Sequence, residues 1–138
     1  MNQKFIDLLN TYTFIVADES GICLSSEKAG IRPPLDALLA NADALRGKSV
    51  IDKVIGKAAA GLAAYGSAKE CHGHLMSEAG LQMLKAAGIS ASYDTLVPFI
   101  ENRDHTGTCP MEQLVASCQT PEECFRALAA FFRDKPAQ

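Results

Sequence analysis

A chain of 138 residues with 48% hydrophobic and 21% charged residues has the composition of one folded domain, not of a disordered tail. The formal net charge is −3 and the basic residues are scattered, which argues against general nucleic-acid binding through a concentrated basic face. The longest apolar stretches, such as Ala58 to Tyr65, fall well short of a membrane span.

At the N-terminus, Asp7 and Asn10 interrupt the apolar run, so no signal-peptide core is expected, and Phe5 to Leu9 reads as a short amphipathic helix. Tyr12 to Val16 is rich in β-branched and aromatic residues and reads as a strand. Asp18-Glu19-Ser20-Gly21 supplies turn chemistry, and Ile22 to Ser25 returns as the second arm of a hairpin. Pro33 and Pro34 open a helix whose apolar positions run Leu35, Leu38, Leu39, Ala42 and Leu45, with Gly47 as the stop.

Lys48 to Ile51 is a short extended piece, and Asp52 is placed to cap the Ala-rich helix that follows and ends at Gly66. Its small residues suit close packing on a sheet, or equally on a partner, so a homo-oligomer stays open. Lys69 to Met76 reads as a strand, Ser77 as the cap of a helix to Ala87, and Ile89 to Val97 as the next strand. A polar loop from Pro98 to Cys109 precedes a helix from Pro110 to Ser117. A last helix spans about 120–133, and the tail 134–138 is expected to fray. This alternation of strands and helices makes one α/β domain over 1–138.

The five cysteines, Cys23, Cys71, Cys109, Cys118 and Cys124, are odd in number and lack paired spacing. Reduced thiols in a bacterial-type cytoplasm are expected.

In open α/β folds ligands sit where strands end and helices begin, which directs attention to three junctions. Asp52, Lys53, Gly56 and Lys57 surround one predicted helix start, where free amides and two ammonium groups attract phosphate or carboxylate. The Walker A order is not met at Gly56-Lys57, and the plainer reading is a cap with two solvated lysines. Ser77 and Glu78 form a second helix start, again with capping as the plainer role. Asn102, Arg103, Asp104 and Thr106 make a hydrogen-bonding loop that either recognises a ligand or closes the fold. Cys109 precedes Pro110 at a third helix start, where the dipole lowers a thiol's pKa and His105 is the nearest imidazole; a packed thiol outweighs a nucleophile there. His72 and His74 project to one face of a strand, but no third ligand has the spacing for a metal, and none is expected.

From Gly47 to Glu112 the chain resembles an uncharacterised family of small prokaryotic proteins assigned a cytidine-deaminase-like fold. The matching stretches are Gly47-Lys48-Ser49-Val50 through Ala60, then Ser77-Glu78-Ala79, then Thr95 to Pro98 and Asn102-Arg103 through Thr106-Gly107-Thr108-Cys109-Pro110-Met111-Glu112. The resemblance implies a three-layer domain with a mixed sheet flanked by helices, in the order hairpin, helix, helix, strand, helix, strand, helices. Relatives with this fold hold nucleosides or nucleotides between two helix starts. Here Asp52, Lys57, Ser77 and Glu78 would line that cavity, with the Arg103 loop as a lid.

Deamination is not implied. Zinc deaminases place a His or Cys with a Glu at one helix start and Pro-Cys-x-x-Cys at the next. Asp52 to Lys57 contains neither His nor Cys, and Met76 to Gly80 reads Met-Ser-Glu-Ala-Gly. Without those ligands no metal lowers the pKa of an attacking water. The leading expectation is a domain without zinc or other cofactor that binds a nucleotide or similar anionic metabolite. The alternatives are a metal-free enzyme using Cys109 or Asp52 with Glu78, and an interaction module whose old pocket has closed. Two outcomes follow: elemental analysis of the purified protein finds no stoichiometric zinc, and ammonia-release assays with cytidine, deoxycytidine and adenosine show no turnover. One zinc per chain, or turnover abolished by Glu78→Gln, would contradict this reading.

Overall fold

Alternation along one strand decides the layering. Phe14 and Val16 enter the main hydrophobic core, while Ile15 and Ala17 face a smaller cluster on the opposite side of the sheet. The computed structural model describes residues 1–133 and residue 135. Most of the tail expected to fray at 134–138 therefore lies outside the described residues.

Helix α1 (Gln3–Asp7) is capped by the Asn2 side chain and runs into a single 3-10 turn, Leu8–Asn10. Strands β1 (Phe14–Asp18) and β2 (Gly21–Ser26) form the expected hairpin. Tyr12 and Thr13 fall outside it, because the Thr13 hydroxyl donates to the Ser26 and Lys28 carbonyls and ties the strand entrance to the loop after β2. Helix α2 (Arg32–Ala40) carries Pro33 and Pro34 in its first turn. It stops earlier than the apolar spacing suggests: Asn41 becomes extended and its side chain accepts from Asp43 N, so Leu45 reaches the core from a turn.

The chain then forms β3 (Ser49–Ile55), α3 (Lys57–Tyr65), β4 (Glu70–Ser77), α4 (Glu78–Ala86) and β5 (Ser90–Val97). Helices α5 (Pro110–Val115) and α6 (Pro121–Phe132) complete it. The sheet order is β2-β1-β3-β4-β5. Strand β1 is antiparallel to β2 and β3, while β3, β4 and β5 are parallel.

Two sequence expectations change here. The extended piece at Lys48 to Ile51 is in fact a full central strand, and Asp52 lies inside it, opposite Phe14 of β1 and Gly73 of β4. Asp52 is thus not a helix cap; the polar pair Asp52-Lys53 only imitated one. The third layer is also partial. Both parallel crossovers advance in the same direction, and the right-handed rule puts α3 and α4 on the same face. Helices α2, α5 and α6 join them over the main core, while α1 and its 3-10 turn cover only β1 and β3 behind.

The Ala-rich α3 is the centre of the helical layer. A Cβ added at Gly61 would lie 2.6 Å from Cys124 Cβ of α6, and Tyr65 stacks on Phe125 with centroids 4.1 Å apart. The start of α4 presses on the start of α3 in the same way: a Cβ at Gly80 would lie 2.8 Å from the Ile55 carbonyl oxygen and 3.0 Å from the Gly56 carbonyl carbon. Backbone cannot swing aside as a side chain does. Gly80→Ala should therefore cost about 1–3 kcal/mol in a denaturant titration, whereas Gly107→Ala, with nothing nearer than 4.0 Å, should be close to neutral. Equal midpoints for the two variants would show that α4 slides freely.

Candidate functional site

Gly56 is the N-cap of α3 and has no side chain to satisfy the first amides. The acceptor arrives from α5. The Glu112 carboxylate accepts from Lys57 N at 2.7 Å and from Ala58 N at 2.9 Å, one oxygen to each. It rests directly on Gly56, where an added Cβ would lie 2.5 Å from Glu112 Cδ. A charged acceptor on two free amides at the positive end of a helix is a strong arrangement. It holds α5 against the start of α3.

Beside this contact lies a cleft of about 230 Å3. Its walls are mostly apolar, from Ala29 and Ile31 ahead of α2, Ala58 and Ala59 of α3, Ile100, and Met111 of α5. Thr13, Gly30, Asp52, Lys53, Val54, Gly56, Cys109 and Glu112 complete the lining. Asp52 is only 8% exposed. Its carboxyl accepts one long hydrogen bond, from Val54 N at 3.4 Å. Burial pushes it up to about 8, and the backbone amides of Val54 and Lys53 offset that only in part. At neutral pH it is a carboxylic acid, able to donate as well as accept.

The structure brings Asp52, Lys53, Gly56 and Cys109 of the sequence-selected residues to this cleft. Lys57 turns away, donating through Nζ to the Ala116 carbonyl at 2.9 Å. Ser77 is buried as the cap of α4, its hydroxyl accepting from Gly80 N at 3.0 Å, and Glu78 is exposed in the first turn of that helix. The two helix starts are neighbours through Gly80 and Gly56, but these side chains do not converge.

The polar loop is braced from within. Asn102 accepts from Thr106 N and donates to Thr106 Oγ1, both at 3.0 Å, and Glu101 bridges to Thr108. Arg103, Asp104 and Thr106 lie exposed at its tip. Its two feet, Ile100 and Cys109, are joined by a 2.8 Å backbone bond and are the part that reaches the cleft. His105 pairs with Glu101 at 2.7 Å rather than with Cys109.

Glu112 escaped selection from sequence as a site residue. The available signal was Gly56 itself, a helix start with no capping side chain, which requires an acceptor from elsewhere.

On the other face of the sheet His72 and His74 do share a side, as their spacing predicts. His72 Nδ1 meets Ser92 Oγ at 2.8 Å, and Asp94 stands 2.8 Å from His74 Nδ1 and 3.3 Å from His72 Nε2. The His74 contact holds the Asp94 carboxyl below its usual range. Among the described residues no group of three His, Cys, Asp or Glu is arranged to hold a metal ion.

The chain belongs to the TM1506 family, a domain of unknown function (DUF1893), whose profile matches residues 6–132. A solved member, the DUF1893 family protein TM1506 from Thermotoga maritima, superposes with a TM-score of 0.83 at 29% sequence identity. The match covers 94% of this chain and 86% of that one. No match was found among curated proteins.

Asp52 gives a signed test. An unfolded Asp titrates near 3.8 and the folded one near 8, so between those values the folded chain keeps a proton that the unfolded chain has released. Stability therefore falls as pH rises through that window, by at most about 1.4 kcal/mol per unit from this group. Asp52→Asn should flatten the slope and raise the melting temperature at pH 8. Parallel wild-type and variant profiles would mean that Asp52 is ionised in the fold.

Proposed function

We propose that this member of the TM1506 family is a small-molecule-binding domain with a zinc-free, cytidine-deaminase-like architecture. The Asp52 cleft takes the ring of a nucleotide or of a similar anionic metabolite. The observation that carries this reading is that a mostly apolar lining includes one buried, poorly satisfied acid, Asp52. Ligand sites combine a mostly apolar lining with a few polar groups that fix orientation. At about 230 Å3 the cleft is smaller than the roughly 300–1,000 Å3 of drug-sized sites. One ring system fits, and the rest of the ligand stays outside.

The anionic part belongs at the mouth. Glu112 already fills the start of α3, so a phosphate is not read by those amides; Lys53, an exposed residue of the lining, is the charge assigned to it in this reading. The sheet order and the crowding of α3 and α4 on one face are compatible with the deaminase-like plan. A metal-free enzyme is the second reading, favoured by Cys109 lining the same cleft as Asp52.

Thermal-shift titration with nucleosides and nucleoside monophosphates tests the reading. Stabilisation by at least one pair is expected, with Lys53→Ala weakening the monophosphate about two- to fivefold, as for an exposed ion pair, and leaving the nucleoside unchanged. No shift from any compound at millimolar concentration would remove the cleft as a nucleotide site.

A further inference from the structure

We propose that ligand entry into this cleft is coupled to a proton on Asp52. The carboxyl binds as the neutral acid, donating O–H to a ring nitrogen of a flat, uncharged heterocycle and accepting from an adjacent N–H. This rests on the cleft being a ligand site and names the chemistry that it reads.

Three geometric observations carry it. Asp52 sits nine-tenths buried in the cleft lining, and a single 3.4 Å bond from Val54 N leaves hydrogen-bonding capacity for an occupant. The second acid in the lining, Glu112, has both oxygens committed to the amides of Lys57 and Ala58, so it does not join Asp52 in clasping a cation. The short side chains of Ala58 and Ala59 leave room for a ring but offer it no polar group, so orientation falls to Asp52. A neutral carboxylic acid presents a donor and an acceptor side by side. An amino group next to a ring nitrogen presents the complement.

The titratable groups around Asp52 come from three elements. Lys53 lies on its own strand, Cys71 on β4 is within reach of its charge, and Cys109 and Glu112 come from the start of α5. The loop ahead of α2 and Thr13 contribute none. Burial pushes the Cys71 thiol up to about 12, so it stays neutral across the range that matters. Asp52 itself, held up to about 8, changes state within it.

Calorimetry with 2-aminopyrimidine, an uncharged ring with the required edge, tests the proposal from pH 6 to 9.5, with benzamidine as the cationic comparison. For wild type the affinity should be flat below pH 8 and fall about tenfold per unit well above it. Cys109→Ser, which alters one wall of the cleft, should leave the pH midpoint of that fall in place whatever it does to the affinity. Asp52→Asn keeps a donor beside an acceptor, so it should retain binding and lose the pH dependence, while Asp52→Ala should bind at least about tenfold more weakly at pH 7. Affinity for benzamidine that rises with pH, with none for 2-aminopyrimidine, would overturn the proposal. So would a pH-independent wild type. Nucleotide stabilisation without any 2-aminopyrimidine binding would sink proton coupling alone, and silence from both would sink the cleft as a site.

Discussion

The contact between the Glu112 carboxylate and the first amides of α3 is the constraint on which the functional end of the molecule depends. It spans 55 and 54 residues of sequence to close two hydrogen bonds. It draws α5 over the end of β3, and with α5 come Cys109 and Met111, one wall of the cleft. Gly56 makes the approach possible, because any side chain there would occupy the space of the carboxylate. The start of α4 then packs on the same backbone through Gly80. Positions 56 and 80 thus set how closely three helices gather at the carboxyl end of the parallel strands.

Asp52 is the counterpart of that order. A carboxyl in the middle of a central strand is costly unless something offsets its burial, and here a proton does so at neutral pH. A hydrophobic residue would fit the surrounding walls better. A polar group retained at such a position marks a place where packing alone does not decide the residue, and it opens onto a cleft rather than onto more core. The polar cluster behind the sheet differs in kind: His72 meets Ser92 and His74 meets Asp94 through their Nδ1 atoms across β4 and β5, while the buried His72 Nε2 is left without a hydrogen-bond partner among the described residues.

Much of the fold was legible because its signals are local. The Pro33-Pro34 helix start, the Ser77 cap and the run of β-branched and aromatic residues at β1 each follow from a few adjacent residues. What escaped was decided at long range. Strand β3 was read short because Asp52-Lys53 carries a local cap signal, and only pairing with β1 and β4 overrides it. Lys57 was grouped with Asp52 by sequence proximity, yet the carbonyl that holds it, Ala116, lies 59 residues away. Placing Asp52 and Cys109 in one cleft was within reach of junction logic. Seating Glu112 on the start of α3 was not, since nothing near residue 112 announces that its partners are the amides of Lys57 and Ala58.

The loop between β5 and α5 separates shape from length. Its feet are pinned by the bond from Cys109 N to the Ile100 carbonyl, and its neck by the Glu101–Thr108 bridge. Residues 103–107 beyond that neck are exposed, braced at the base by Asn102 on Thr106 and by Glu101 on His105. Residues 103–107 are therefore insulated from the cleft walls: the tip can lengthen, shorten or accept a grafted peptide while the feet keep their positions. Such a segment is a natural attachment point for a fluorophore or an epitope, giving an outward-facing handle a few residues from the cleft without entering it.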